Sequence, residues 1–201
     1  RLPSSITGRA HEILTRTRDH IEAAGHRVIY GDTDSVFVWI QEARTDAQAV
    51  AAGRQLEREL NTWWGEVIRK EFNLESVLEL QFEIHFKRFL MPTVRGSDKG
   101  SKKRYAGVVK GKNGDQLVFK GLESVRTDWT RLAREFQEEL YRRIFMKEAY
   151  AGYVKEVTSR VLAGEEDHQL FYRKRLRRKL DDYQRNVPPH VQAARLCAER
   201  G

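Results

Sequence analysis

Tyr30-Gly31-Asp32-Thr33-Asp34-Ser35 is flanked by two short apolar runs, residues 26–30 and 36–40. Both runs are rich in β-branched and aromatic side chains, so they predict two strands joined by a tight acidic turn. Gly31 gives the backbone room to turn. Two carboxylates are thereby crowded at a hairpin tip, where like charges repel unless a cation lies between them. A hairpin that needed only a turn would use Asn-Gly or Asp-Gly. An ordinary solvated turn is the competing reading of any Asp-x-Asp. The apolar sequence on both sides favours aspartates at the end of a buried sheet, where metal-dependent phosphoryl chemistry is usually mounted.

On the N-terminal side, residues 4–24 carry Ile6, Ala10, Ile13, Leu14, Ile21 and Ala24 at helical spacing, and Gly25 is placed to end that helix. On the C-terminal side a helix is expected over 46–72, capped by Thr45 or Asp46. Val50, Leu56, Leu60, Trp63, Trp64, Val67 and Ile68 form its apolar stripe. The adjacent tryptophans read as core rather than as platforms for bases. Residues 76–91 alternate, with Leu78, Leu80, Phe82, Ile84 and Phe86 opposed to Glu79, Gln81, Glu83, His85 and Lys87. This predicts one long strand with a wet face. Glu83 on that face would reach Asp32 and Asp34 if the strands are neighbours, with a solvated strand charge as the alternative. His85 lacks a partner at ligand spacing and reads as structural.

The 201 residues carry a net charge of +8, with 40% hydrophobic and 33% charged residues. That composition is ordinary for a soluble globular chain able to bury a core. No apolar run reaches membrane-spanning length and no signal peptide is evident. The lone Cys197 excludes an internal disulfide and a cysteine zinc cluster, fits a reducing cytosol, and reads as a small packing residue in a helix.

The positive charge is concentrated. Residues 87–120 hold ten basic and two acidic side chains, so this stretch alone matches the net charge of the whole chain. Two strands are expected there, over 104–110 and 116–120, closed by Asn113-Gly114. Basic residues interleaved with Tyr105 point to nucleic acid, and lysines guarding a sheet edge are the competing reading. Helices are then expected over 128–147, with a Leu132, Phe136, Leu140, Ile144 seam, over 150–163, and over 165–182. The last contains Tyr172-Arg173-Lys174-Arg175-Leu176-Arg177-Arg178-Lys179, six of whose eight residues are cationic. On one helix they would repel unless phosphates neutralised some of them. Pro188 and Pro189 break the helix, and Pro189 can start the next. No Gly-rich phosphate loop or His-Glu-x-x-His occurs, and Ala43 at the twelfth position from Asp32 excludes an EF-hand.

The hexapeptide resembles motif C of the family B DNA polymerases, their bacterial polymerase II type most of all. Lys102-Lys103-Arg104-Tyr105-Ala106-Gly107 resembles the family's Lys-x-Tyr motif, with Lys103 and Tyr105 as the matching pair. Lys120-Gly121-Leu122-Glu123-Ser124-Val125-Arg126-Thr127-Asp128-Trp129 resembles the segment that leads from palm to thumb. Tyr183 with Val187-Pro188-Pro189-His190-Val191 resembles the thumb itself. Together these motifs cover nearly the whole chain in the family's order.

The resemblance implies an α+β fold: part of an antiparallel-sheet polymerase palm backed by two helices over residues 1–125, then part of an α-helical thumb over 126–201. It implies a DNA-directed DNA polymerase that transfers a nucleotidyl group to a primer 3′-hydroxyl by a two-metal mechanism. Asp34 would be the principal ligand of two Mg2+ ions and Asp32 the supporting carboxylate. Glu83 would lie near the metals and Thr33 near the nucleotide. Lys102, Lys103, Arg104, Tyr105, Arg126, Arg175, Arg178, Lys179 and His190 would face DNA, while a packed histidine is the favoured alternative for His190 and Asp128 is equally suited to cap the next helix. The implied partners are primer-template DNA and a deoxynucleoside triphosphate, with a sliding clamp as a candidate and no membrane. The implied compartment is the bacterial cytoplasm, at the nucleoid. Motifs A and B of the family, with the other metal-binding aspartate and the fingers, are not among these residues, and Arg1-Leu2-Pro3 reads as neither a start nor a targeting signal. The expectation is a piece of a longer enzyme, inactive by itself, with weak or absent metal binding. Two readings from other classes stand beside it: a non-catalytic nucleic-acid-binding module, and a metal-dependent glycosyltransferase using Asp-x-Asp. The second normally sits on a parallel-sheet nucleotide domain, which these hairpins do not suggest.

Overall fold

The computed structural model describes residues 2–93, 96, 100–101, 103–185 and 187–199. Helix α1 spans Leu2–Ala23 and leads into a hairpin of β1 (Arg27–Asp32) and β2 (Ser35–Trp39). Helix α2 spans Asp46–Phe72. Strands β3 (Phe86–Leu90), β4 (Tyr105–Gly111) and β5 (Gly114–Lys120) make a sheet in that order. Helices α3 (Arg131–Met146), α4 (Ala151–Leu162) and α5 (Pro189–Glu199) complete the chain. The fold is therefore mixed α+β, as expected, but the strands form two sheets instead of one. Packing divides the chain into two compact units, Arg1–Lys103 with Gly107–Val118, and Arg104–Ala106 with Phe119–Gly201.

In the first unit, α1 ends where Gly25 takes φ +91, a conformation that glycine adopts without a Cβ clash. The β1–β2 pairing is antiparallel, and its register steps over Ile29, the extra residue of a bulge. Helix α2 starts at a capping box. The Thr45 hydroxyl accepts from the Gln48 N–H at 3.2 Å, and the Gln48 side chain accepts from the Thr45 N–H at 3.2 Å. Asn73 closes it at φ 54. Ile21, Leu56 and Leu60 form the core, with Val28, Val36, Val38, Trp63 and Leu80 packed against them. The tryptophans are core side chains. The Trp64 indole N–H donates to the buried Thr17 hydroxyl at 2.9 Å, and Trp63 stacks on His20 with centroids 4.1 Å apart.

The long strand expected over 76–91 is only β3. Burial does alternate through Leu78, Leu80 and Phe82, but the phase breaks at the exposed Ile84. A strand needs a neighbour to accept and donate its backbone hydrogen bonds. Here the Asn61 amide fills that role: its Nδ2 donates to the Leu80 carbonyl and its Oδ1 accepts from the Leu80 N–H, both at 2.8 Å. An α2 side chain thus replaces a ladder.

In the second unit, Leu122, Phe145, Val157 and Val191 are buried. Phe136 stacks on Tyr153, and Tyr141 lies between Phe119 and Phe145. The expected seam Leu132, Phe136, Leu140, Ile144 is half-buried, and Phe145 beside it is the enclosed side chain. Thr130, not Asp128, caps α3: its hydroxyl accepts from the Ala133 N–H at 3.2 Å. Cys197 lies on α5 as expected, but exposed rather than packed. The helix expected over 165–182 does not form. Short 3-10 turns at Asp167–Gln169 and Leu180–Asp182 bracket an irregular stretch. Gly164 turns the chain at φ +77, and the buried Glu166 is tied back to Arg160 and Gln169. Beyond it, cations crowded one turn apart would repel along a helix.

Candidate active site and nucleic-acid interface

The acidic tip is a hairpin in which Asp32 pairs with Ser35, leaving Thr33 and Asp34 as a two-residue loop. The left-handed residue of the turn is Thr33, at φ 51, and not Gly31. Positive φ at the first loop position alone is the type II′ pattern, where glycine is usual. A β-branched residue there is an outlier of the kind that collects at functional sites. The Asp34 N–H donates to the Asp32 carbonyl at 2.5 Å, which pinches the loop.

Each carboxylate accepts a hydroxyl from its C-terminal neighbour. Thr33 Oγ1 donates to Asp32 Oδ1, and Ser35 Oγ to Asp34 Oδ1, both at 3.1 Å. These bonds orient both groups while leaving further lone pairs open. Asp32 is half-buried and Asp34 exposed. Among the described residues no third His, Cys, Asp or Glu joins them to make a metal cluster. Glu83 is exposed on the 73–85 segment, outside any ladder that would carry it to the tip.

A cation does reach the tip. Lys103 Nζ lies 3.6 Å from Asp32 Oδ1 and 3.5 Å from Thr33 Oγ1. The Lys103 N–H donates to the Tyr30 hydroxyl at 2.7 Å. Lys103 itself holds φ 61. The Tyr30 ring lies 5.4 Å from Phe37, which lies 5.3 Å from Phe89, so an aromatic row braces this wall of the hairpin. The sequence-expected carboxylates and Lys103 are therefore one site. Tyr30 and Ser35, which fix its geometry, belong to the quoted hexapeptide but carry no local signal of those contacts.

The remaining expected DNA-facing residues divide into four groups. Lys102 lies outside the described residues. Arg104 and Arg126 are engaged by carboxylates. Arg104 pairs with Glu123, which also accepts from Gln137 at 2.7 Å. Burial pushes the Glu123 carboxyl upward, but bonds from Gln137, its own backbone and Arg104 outweigh it and hold the group below its ordinary range. Arg126 donates to Asp128 through Nε at 3.1 Å and Nη2 at 2.9 Å, and holds that carboxyl low in the same way. Glu123 was not singled out in the sequence. Arg175, Arg178 and Lys179 are exposed on the irregular 170–179 stretch, so the cationic cluster is a coil and not a helix face. Two neighbours are spoken for: Arg173 lies 5.1 Å over the Phe171 ring, and Lys174 lies 3.9 Å from Asp128. His190 is half-buried in the first turn of α5, and Tyr105 opens β4.

The acidic hairpin tip is thus faced by the lysine of the basic 87–120 stretch. The chain belongs to DNA polymerase family B, whose sequence model matches residues 3–201. It is 57% identical to DNA polymerase II of Escherichia coli K12 over 199 residues, which is 99% of this chain and 25% of that protein. It is 31% identical to a DNA polymerase of Thermococcus kodakarensis over 203 residues, covering 98% of this chain and 11% of the relative. It is 29% identical to the DNA polymerase delta catalytic subunit of Mesocricetus auratus over 216 residues, covering 99% of this chain and 18% of the relative. The chain thus spans a quarter or less of these relatives. Among the described residues no helix is long and apolar enough to cross a membrane.

Proposed function

We propose that this chain supplies the metal-binding hairpin and part of the duplex-holding surface of a DNA-directed DNA polymerase that adds nucleotides to a primer 3′-hydroxyl. The reading rests chiefly on one observation, the approach of Lys103 Nζ to Asp32 and Thr33. It brings the Lys-x-Tyr motif onto the acidic tip, which a solvated turn would not require. Asp34 and Asp32 would hold Mg2+. Magnesium uses one or two protein carboxylates and takes its other oxygens from water and substrate phosphates, so this donor set fits. Bound there, a pair of such ions would lower the pKa of the attacking hydroxyl and neutralise the departing pyrophosphate. Thr33 and Ser35 hold the two carboxylates in place by their hydroxyls. Lys103 supplies positive charge beside them for a phosphate or a minor-groove acceptor.

On this reading residues 1–125 belong to the palm and 126–201 to the thumb, with Tyr105, Arg126, Arg175, Arg178, Lys179 and His190 along the duplex. Primer-template DNA, deoxynucleoside triphosphates and a sliding clamp would be the partners, and the bacterial cytoplasm the compartment. The test is primer extension by a full-length polymerase containing this segment. Asp34→Ala should abolish extension while leaving primer-template binding within a fewfold. Unchanged extension would point to the non-catalytic binding module. Retention of a radiolabelled UDP-sugar, lost in the same variant, would point to the glycosyltransferase.

A further inference from the structure

We infer that Tyr30 is a positioning residue for the basic motif: its hydroxyl holds Lys103 in the one backbone conformation that aims the ammonium group at the acidic tip. The inference rests on the polymerase reading and adds a residue role to it. Lys103 sits at φ 61, which for a residue with a Cβ is costly and persists only where surrounding contacts over-determine it. Among the described residues, its backbone is held by the 2.7 Å bond from its own N–H to the Tyr30 hydroxyl. From there the side chain runs to within 3.6 Å of Asp32 Oδ1 and 3.5 Å of Thr33 Oγ1. The Lys103 side chain is 68% exposed, so packing does not aim it, and an exposed ion pair is worth too little to do so alone.

Tyr30 is well suited to the task. It occupies β1 opposite Phe37, and its ring is braced there. Its hydroxyl is therefore held in place where the Lys103 N–H meets it. A phenylalanine would keep the ring packing and remove only the acceptor. The chain segment around Lys103 would then lose its anchor to the hairpin, and the ammonium would sample positions away from the tip.

The test is a double-mutant cycle in a full-length polymerase containing this segment, read as primer-template affinity by fluorescence anisotropy. Tyr30→Phe should weaken binding about fivefold, the worth of one neutral hydrogen bond, and should raise the KM for primer-template with the KM for nucleotide unchanged. In a Lys103→Ala background the same substitution should have almost no further effect, because there is no longer an ammonium group to aim. A merely structural role for Tyr30 would weaken binding equally in both backgrounds, and that result would overturn the inference. So would an unchanged affinity in either single variant. The polymerase reading is judged separately by Asp34→Ala: if that variant loses extension while the Tyr30 and Lys103 effects simply add, the catalytic assignment stands and only the positioning role falls.

Discussion

The Lys103 N–H donates to the Tyr30 hydroxyl at 2.7 Å across 73 positions of sequence. This bond joins two of the motifs by which the chain resembles its family. It turns a list of separately recognised residues into one site, in which Lys103 approaches the hairpin tip that carries Asp32, Thr33 and Asp34.

The exposed cations on the 170–179 coil should report themselves through salt. Each phosphate neutralised by a cation contributes about 0.9 to the slope of log affinity against log salt. With six phosphates neutralised, the complete polymerase should show a slope of about −5. Replacing Arg175, Arg178 and Lys179 together by alanine should make it shallower by about 2 to 3. Anisotropy titrations from 50 to about 300 mM salt measure this, and an unaltered slope would remove these three residues from the interface.

Thr17 and Trp64 form a buried polar pair, 2% and 3% exposed, joined at 2.9 Å. Thr17→Val keeps the volume and leaves the indole N–H without a partner. An unsatisfied buried donor costs about 1–3 kcal/mol. The urea midpoint of the variant should fall accordingly, with little change in the m-value.

Gly107 is buried within β4 because the neighbouring chain leaves no space for a Cβ. An added Cβ would lie 2.3 Å from Phe86 Cδ1 and 2.9 Å from the Arg88 carbonyl oxygen. The carbonyl is backbone and cannot swing away. Gly107→Ala should destabilise by about 1–3 kcal/mol through overpacking. Gly65→Ala, where nothing lies within 4 Å of the new Cβ, serves as the control and should be neutral or mildly stabilising.

Acid should loosen α3 through Glu139. The hydrogen bond from Arg142, opposed by burial and aided by a second bond from Arg143, lowers this carboxyl from its ordinary 4.5 to about 2. The unfolded chain therefore binds the proton more readily than the folded one, and stability rises with pH in that interval. The contribution is fully present above about pH 5 and is lost as pH falls toward 2. Asp128 and Glu148 are also held low by arginine and act in the same direction. Stability measured from pH 7 down to 2 should decline with a shallower slope in Glu139→Gln.

The sequence alone determined the elements whose causes are local. Short apolar runs of β-branched and aromatic residues on both sides of Asp32-Thr33-Asp34 specified the hairpin. The 3.6-residue stripe from Val50 to Ile68, with Thr45 or Asp46 as its cap, specified α2, whose bounds match the expected ones. Asn113-Gly114 signalled the β4–β5 hairpin, although the turn falls one residue earlier, at Lys112-Asn113, and Gly114 opens β5. In each case the deciding residues lie within a few positions of one another, where periodicity, capping and turn preference act. The concentration of positive charge was equally legible, since composition needs no coordinates.

What only the tertiary structure decided depends on partners far along the chain. Residues 73–85 alternate like a strand, yet Asn61 supplies the bonds that a neighbouring strand would give. Thr33, not Gly31, carries the left-handed turn, because the ladder register leaves it in the loop. The basic run over 172–179 meets the composition of an exposed helix and is still coil, its N-terminal side pinned by Glu166 to Arg160. Arg104 turns to Glu123 while Lys103 turns to Asp32, a difference between adjacent residues that no spacing rule encodes. Backbone hydrogen bonds and ion pairs are satisfied by whichever group is nearest in space, and for these residues that group is distant in sequence.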